Sequence, residues 1–234
     1  MSVEITHLYK TIGKQEILHD INLSIPSGQV LGLLGPNGAG KSTLMKILTG
    51  YWQFDNHDES QVCVCGVDMR SNPHDVASKV GYLPENNPLY DDMYVMEYLL
   101  FMAEMSGVER KERKERVKQL IELVGITREQ TKKIGELSKG YRQRIGLAQA
   151  MMGNPEVLIL DEPTTGLDPN QLDEIRSLIK ALGKDRTVIL STHIMQEVKE
   201  MCNRVVILNS GHIVADEAEI KHIDLEKLFR EKTK

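Results

Sequence analysis

A glycine-rich loop between a strand-like run and a helix-like run is the feature that most constrains the fold of this chain. The apolar run 30–34 (VLGLL) leads into 35–42 (GPNGAGKS), and 43–48 (TLMKIL) follows with helical spacing. Glycines let backbone N–H groups converge on an anion, and the first turn of a helix presents unpaired N–H groups with a positive partial charge. This order of strand, loop and helix predicts a site for nucleotide phosphates.

The loop also supplies side chains for this chemistry. We expect Lys41 to reach the β- and γ-phosphates with its ammonium group and Ser42 to offer its hydroxyl to Mg²⁺. The predicted phosphate contacts are Gly35, Pro36, Asn37, Gly38, Ala39, Gly40, Lys41, Ser42 and Thr43. The alternative is a chance glycine turn before a helix, against which the flanking patterns argue.

Apolar runs and helical patterns alternate along most of the chain and indicate an α/β fold. Besides 30–34, the β-type runs are 62–65, 80–83, 157–160, 188–190 and 205–208, which predict a buried, mainly parallel sheet. Alternating segments at 3–8 and 17–25 predict an N-terminal antiparallel part. Helical patterns at 93–107, 110–124 and 140–152 predict an inserted helical subdomain over about 86–152. We expect one domain over 1–234, with a short tail from about 217 that holds a small amphipathic helix at 225–229.

Composition limits the functional classes. The formal net charge is −5, so nothing suggests a nucleic-acid binder. The three cysteines, at 63, 65 and 202, lack the spacing of a zinc site and are expected to be reduced. The chain opens with no secretory signal, and no apolar run approaches the roughly 18 residues of a membrane span. We therefore expect a cytoplasmic protein, for which another polypeptide supplies any membrane crossing.

Two adjacent carboxylates end the apolar run 157–160. Successive strand residues point to opposite faces, so Asp161 and Glu162 are expected to have different roles. We assign Asp161 to the Mg²⁺ sphere with Ser42, and Glu162 to orienting or deprotonating the attacking water. The alternative is an ordinary capped helix start. The position downstream of a phosphate loop favours the catalytic interpretation.

A second candidate anion site lies at 137–144 (LSKGYRQR). Ser138 has the character of a helix N-cap, and Gly140 allows close approach of another backbone or ligand. The alternative is an N-cap with no ligand.

Five motifs together resemble the ATP-binding-cassette (ABC) family of transporter ATPases: GPNGAGKST, GYLPE, LSKGYRQR, LILDEPTTGLD and STH. The resemblance covers essentially the whole chain and implies a phosphate-loop NTPase fold with a RecA-like core, with ATP and Mg²⁺ as ligands. It also implies that His193 contacts the γ-phosphate and that Asp168 belongs to a loop that communicates between paired subunits. Two copies would pack head to tail, each ATP lying between the phosphate loop of one and Ser138, Lys139 and Gly140 of the other.

Four positions depart from the family pattern, two of them in the signature, where Lys139 and Tyr141 replace the commonest glycine and glutamine. Ile12 stands where the family usually has an aromatic residue that stacks on adenine, and Tyr9 could replace it only if the local strand geometry brings its ring round. Glu85 stands where the family usually has a glutamine that joins the metal sphere. A carboxylate can still reach Mg²⁺, so we assign Glu85 to the metal site.

In motif detail the chain is most similar to bacterial gliding-motility-associated cassettes and to related drug or polysaccharide export cassettes. That similarity implies an ATPase on the cytoplasmic face of the membrane that powers export through a separate transmembrane permease. Such relatives often run longer at the C terminus, so we expect a short form or a trimmed tail. The alternatives are a soluble ABC ATPase acting on ribosomes or nucleic acid, and a phosphate-loop kinase or GTPase, although the chain contains no Asn-Lys-x-Asp tetrapeptide.

Overall fold

The structure, a computed structural model, describes all 234 residues except for the side chain of Lys221. The strands are β1 Val3–Ile12, β2 Gln15–Ile25, β3 Val30–Leu34, β4 Gln61–Val64, β5 Val67–Asp68, β6 Val80–Leu83, β7 Val157–Asp161, β8 Thr187–Ser191, β9 Arg204–Asn209 and β10 His212–Ala218. The helices are α1 Lys41–Leu48, α2 Pro73–Lys79, α3 Val95–Met105, α4 Arg113–Leu123, α5 Lys139–Ala150, α6 Pro169–Leu182, α7 Met195–Met201 and α8 Leu225–Lys232.

The larger sheet has six strands in the order β10-β9-β3-β8-β7-β6. Strands β9, β3, β8, β7 and β6 run parallel, and β10 pairs antiparallel with β9 at one edge. Every residue of β3, β7 and β8 is buried, which explains their continuous apolar sequences. Because parallel strands end at the same edge of a sheet, the segments after β3, β6, β7 and β8 meet there.

The smaller sheet is antiparallel, in the order β2-β1-β4-β5. Its membership corrects the prediction for the run 62–65, which we assigned to the parallel sheet. Strand β4 instead pairs antiparallel with β1, with Val64 opposite Val3. Residues of β4 alternate between buried and more exposed positions, as expected for a strand with one face on the core. Strand β10 was not predicted, because its half-exposed residues form no continuous apolar run.

The inserted helical tract contains α3, α4 and α5, which pack on one another around side chains that include Leu99, Ile121 and Leu147. Helix α5 also packs on β6. A Cβ atom added at Gly81 would lie 2.1 Å from the Ala150 carbonyl oxygen, so only glycine permits this approach. The contact ties the end of α5 to the edge strand of the large sheet.

Helix α8 covers the tail segment predicted to be helical and packs on β9. Its Leu225 is fully buried in a cluster with Leu34, Ile207 and Ile220. Leu34 is the last residue of β3, so α8 lies against the strand that leads into the glycine-rich loop. Within the part of the chain that the structure describes, no helix is long and apolar enough to cross a bilayer.

Candidate active site

A cavity of about 840 Å³ lies at the carboxyl edge of the large sheet. It is lined by Ile17, Gly35, Pro36, Asn37, Gly38, Ala39, Gly40, Lys41, Ser42, Thr43, Glu85, Asp161, Glu162, Thr165, His193 and Phe229. The whole predicted phosphate loop and the predicted metal and catalytic side chains therefore share one cavity.

The glycine-rich loop has the backbone that its sequence predicts. Gly38 and Gly40 have φ angles of 80° and 104°, which non-glycine residues rarely adopt. A Cβ atom at Gly35 would lie 2.3 Å from the Leu208 carbonyl oxygen, so the loop is held closely against the end of β9. Helix α1 begins at Lys41, with its N-terminus directed at the loop.

The Lys41 ammonium is turned onto its own loop. Its Nζ atom donates to the Gly35 and Pro36 carbonyl oxygens at 2.7 and 3.2 Å. Burial lowers the pKa of Lys41, while the nearby carboxylates of Glu162, Asp161 and Glu85 oppose that change. Lys41 is thus a buried cation near three acids. The cation can balance the negative charge of a phosphate, and the acids can balance the positive charge of a metal ion.

The predicted metal ligands are oxygen donors on three elements. Asp161 is 5% exposed and accepts a hydrogen bond from the Ser191 hydroxyl at 2.5 Å, whereas Ser42 and Glu85 are exposed in the cavity. A hydroxyl and two carboxylates suit Mg²⁺, which binds oxygen ligands and usually completes its sphere with water and substrate phosphates. Among the described residues, no group of three or more His, Cys, Asp and Glu side chains could hold a metal.

Glu162 and His193 form a contact pair. The His193 Nδ1 atom lies 3.0 Å from both carboxylate oxygens of Glu162, and the Thr165 hydroxyl donates to the same carboxylate at 3.2 Å. Glu162 has a φ angle of 50°, a left-handed conformation that a non-glycine residue adopts at a cost. That conformation follows directly on Asp161, so one carboxylate is held by Ser191 in the sheet and the next faces the imidazole.

Comparison with known proteins decides the family. The family model described as ABC transporter matches residues 18–165. The bacitracin transport ATP-binding protein BcrA of Enterococcus faecalis is 34% identical over 216 residues, which are 92% of this chain and 68% of that protein. Nod factor export ATP-binding protein I of Burkholderia lata is 32% identical over 220 residues, covering 92% and 70%. This chain belongs to the ABC transporter family.

Comparison with a solved structure supports the same fold. A structure described as the ATP-binding subunit of an ABC transporter superimposes with a TM-score of 0.87, at 26% identity and over 100% of both chains. The predicted phosphate-loop NTPase fold is confirmed. This ABC protein is an ATP-binding transporter subunit and an ATPase, as the sequence motifs indicated.

The ABC signature residues Ser138, Lys139 and Gly140 are not part of the cavity lining. Ser138 is the exposed N-cap of α5, and within the described part of the chain its hydroxyl makes no capping hydrogen bond. The Lys139 side chain crosses Gly166, where an added Cβ atom would lie 2.4 Å from Nζ, and Gly140 is buried against the Gln171 side chain. The cavity lining given above includes none of the three signature residues.

Asp168, assigned from the resemblance to the loop between subunits, also has a local contact. Its side chain accepts a hydrogen bond from the Gln171 backbone N–H at 3.0 Å and so caps α6. The start of α6 lies beside the start of α5, because the Gln171 side chain packs on Gly140.

The two candidates for an adenine contact lie away from the cavity lining. Ile12 ends β1 beside the hairpin turn to β2 and is 42% exposed. The Tyr9 ring packs on His57, with ring centroids 4.7 Å apart. The large apolar side chains that line the cavity are instead Ile17 and Phe229, neither of which we selected from the sequence.

Sequence reasoning also missed a buried carboxylate, Glu197, which is 1% exposed. Its two oxygens accept hydrogen bonds from the Thr164 and Thr192 hydroxyls, each at 2.6 Å. Thr164 is two residues after Glu162, and Thr192 directly precedes His193, so Glu197 joins the two segments that carry Glu162 and His193. The available signal was a glutamate in the first turn of α7, four residues after His193.

Proposed function

We propose that this chain is the ATP-hydrolysing subunit of an exporter and that a separate transmembrane permease carries the substrate. The observation that carries the catalytic part is the pairing of Glu162 with His193 in the cavity that also holds Lys41. A base, a cation and a neighbouring imidazole in one cavity are suited to phosphoryl transfer to water.

In this proposal the phosphate loop and Lys41 hold the triphosphate, and His193 contacts the γ-phosphate. Ser42, Asp161 and Glu85 hold Mg²⁺, which would neutralise charge on the phosphate oxygens. Glu162 orients the attacking water and accepts its proton. Thr165 and His193 keep the Glu162 carboxylate in position before the water arrives.

Completion of the site by a second copy is part of the same proposal. Ser138, Lys139 and Gly140 of one copy would meet ATP held by the phosphate loop of the other. The exposed Ser138 hydroxyl and the N-terminus of α5 supply donors and positive partial charge for a γ-phosphate. ATP then joins the two copies head to tail, and hydrolysis releases them.

The exporter role rests on the relatives, one of which is named for Nod factor export and another for bacitracin transport. The helical subdomain offers a surface for a permease, since Tyr90, Tyr94 and Phe101 are exposed on or just before α3. A location on the cytoplasmic face of the membrane follows from this role. The net charge of −5 does not favour the alternative of a soluble ABC ATPase that acts on ribosomes or nucleic acid.

The test is reconstitution. The chain is purified alone and with a multi-span membrane protein encoded beside its gene, and phosphate release from ATP is measured for both samples. We expect basal hydrolysis that the membrane protein raises several-fold in lipid vesicles. A chain that hydrolyses ATP but responds to ribosomes or nucleic acid, and not to the membrane protein, would support the alternative.

A further inference from the structure

The nucleotide cavity has a polar part and an apolar part, and the apolar part has no role in the proposed mechanism of hydrolysis. The phosphate loop, the acids and His193 give most of its lining a polar or charged character, whereas Ile17 and Phe229 add large apolar side chains. A nucleoside triphosphate has the same division, because its phosphates are charged and the faces of its base are apolar. The base needs an apolar contact outside the phosphate loop.

The turn between β9 and β10 lies next to Ile17 and is bonded to the end of α8, the helix that carries Phe229. A Cβ atom added at Gly211 in this turn would lie 2.4 Å from the Ile17 carbonyl oxygen. Asn209, at the end of β9, donates through Nδ2 to the Lys232 carbonyl oxygen in α8 at 3.4 Å. One turn therefore links the strand that carries Ile17 to the helix that carries Phe229.

Helix α8 is held firmly enough to position an aromatic ring. The Asp224 side chain accepts from the Lys227 backbone N–H at 3.1 Å and caps the helix. Leu225 is fully buried, and Leu228 and Phe229 pack on the cluster that contains Leu34. Leu34 directly precedes Gly35, the first residue of the phosphate loop. The apolar cluster that contains Leu34 therefore fixes the position of Phe229 relative to that loop.

We propose that Phe229, together with Ile17, contacts the nucleotide base in this chain, in place of an aromatic residue on the β1–β2 hairpin. The ligand class is a nucleoside triphosphate with its base against the phenyl ring, and because stacking tolerates any base, ATP and GTP should share the contact. This inference rests on the proposed function, since it assumes that the phosphate loop holds the triphosphate.

The experiment compares Phe229→Ala with the wild-type chain by calorimetry, using ATP, GTP and inorganic tripolyphosphate, each with Mg²⁺. We expect the dissociation constants of ATP and GTP to rise about tenfold, which is about 1.4 kcal/mol. The tripolyphosphate constant should change less than twofold, which also shows that the loop is still folded. Leu123→Ala, at an exposed leucine at the end of α4, is the control and should leave all three constants unchanged.

A spectroscopic variant gives an independent readout. Phe229→Trp in a Trp52→Phe background places the single tryptophan on α8, because the wild-type chain contains only Trp52. We expect ATP to quench its emission and tripolyphosphate to leave it nearly unchanged.

Several results would overturn the inference. They are an unchanged ATP constant in Phe229→Ala, equal losses for ATP and tripolyphosphate, and tighter ATP binding, which would mean that the ring only blocks the cavity. A wild-type chain that binds neither ATP nor tripolyphosphate would instead overturn the proposed function itself.

Discussion

The sequence predicts an anion site both in the cavity at the sheet edge and at the N-terminus of α5. In the structure the two regions differ in whether their side chains have partners within the chain. The cavity is assembled from four strand ends, and its Lys41, Asp161, Glu162 and His193 already contact partners within the chain. At α5, the Ser138 hydroxyl is exposed and makes no capping bond among the described residues. The cavity side chains are positioned by contacts within one chain, whereas in our proposal the ligand of the α5 N-terminus is ATP held by a second copy.

The largest expected effect comes from removing the cation of the cavity. Lys41→Ala should lower ATP hydrolysis at least 100-fold and weaken ATP binding, because Lys41 is the side-chain cation of the phosphate loop. Phosphate release and calorimetry measure the two effects. Lys46→Ala on the same helix is the control and should hydrolyse ATP normally, since Lys46 lies over the Trp52 ring. Wild-type hydrolysis by Lys41→Ala would remove the basis of the proposed mechanism.

Removing the base should separate binding from chemistry. Glu162→Gln keeps the shape of the side chain and loses proton acceptance, so we expect hydrolysis to fall about 100-fold or more while ATP binding is retained. The uncleaved ATP should hold two copies together, giving a dimer with ATP and a monomer with ADP in light scattering. Equal amounts of dimer with both nucleotides would contradict a role for the γ-phosphate in joining the copies.

The α5 region can be tested in the same background. Ser138→Arg added to Glu162→Gln should abolish the ATP-dependent dimer, because the new side chain blocks the N-terminus of α5. ATP affinity for the loop of its own chain should change less than twofold. Ser106→Arg, at an exposed serine elsewhere in the helical subdomain, should still form the dimer. If the dimer survives Ser138→Arg, the contrast between the two regions fails.

Replacing Glu197 tests how much its contacts within the chain contribute to stability and to the hydrolysis rate. Glu197→Leu leaves the Thr164 and Thr192 hydroxyls without their acceptor, so we expect a loss of about 2–3 kcal/mol in the free energy of unfolding. Urea denaturation measures this loss. We also expect a several-fold fall in the hydrolysis rate at saturating ATP, because the segments of Glu162 and His193 lose their common anchor. An unchanged rate in a destabilised protein would make Glu197 purely structural.

The smallest effect is expected at the hairpin. If Phe229 holds the base, Ile12→Tyr should change the ATP dissociation constant less than twofold, because residue 12 lies outside the cavity lining. Calorimetry with ATP and tripolyphosphate is the measurement. A clear gain in affinity for ATP alone would place the base on the hairpin and contradict the Phe229 assignment.

Predictions from the sequence succeeded where chemistry is local. The loop over 35–42 needs only its own glycines and neighbours, and its φ angles agree with the sequence pattern. The division between Asp161 and Glu162 follows from strand alternation, and the two carboxylates do have different partners. The run 62–65 was misassigned because an apolar alternation indicates a strand without indicating which strand pairs with it.

By itself, the sequence determined the family, the glycine-rich loop between β3 and α1, and the two adjacent acids at the end of β7, because each is carried by residues close together in the chain. Only the tertiary structure decided that β4 joins the antiparallel sheet, that Glu197 bridges Thr164 and Thr192, and that Phe229 enters the nucleotide cavity. Val3 and Val64 pair although they are 61 positions apart in the chain, and Phe229 lines the same cavity as a phosphate loop that lies about 190 positions earlier. Such contacts form because distant surfaces pack together, and no local pattern encodes which surfaces those will be.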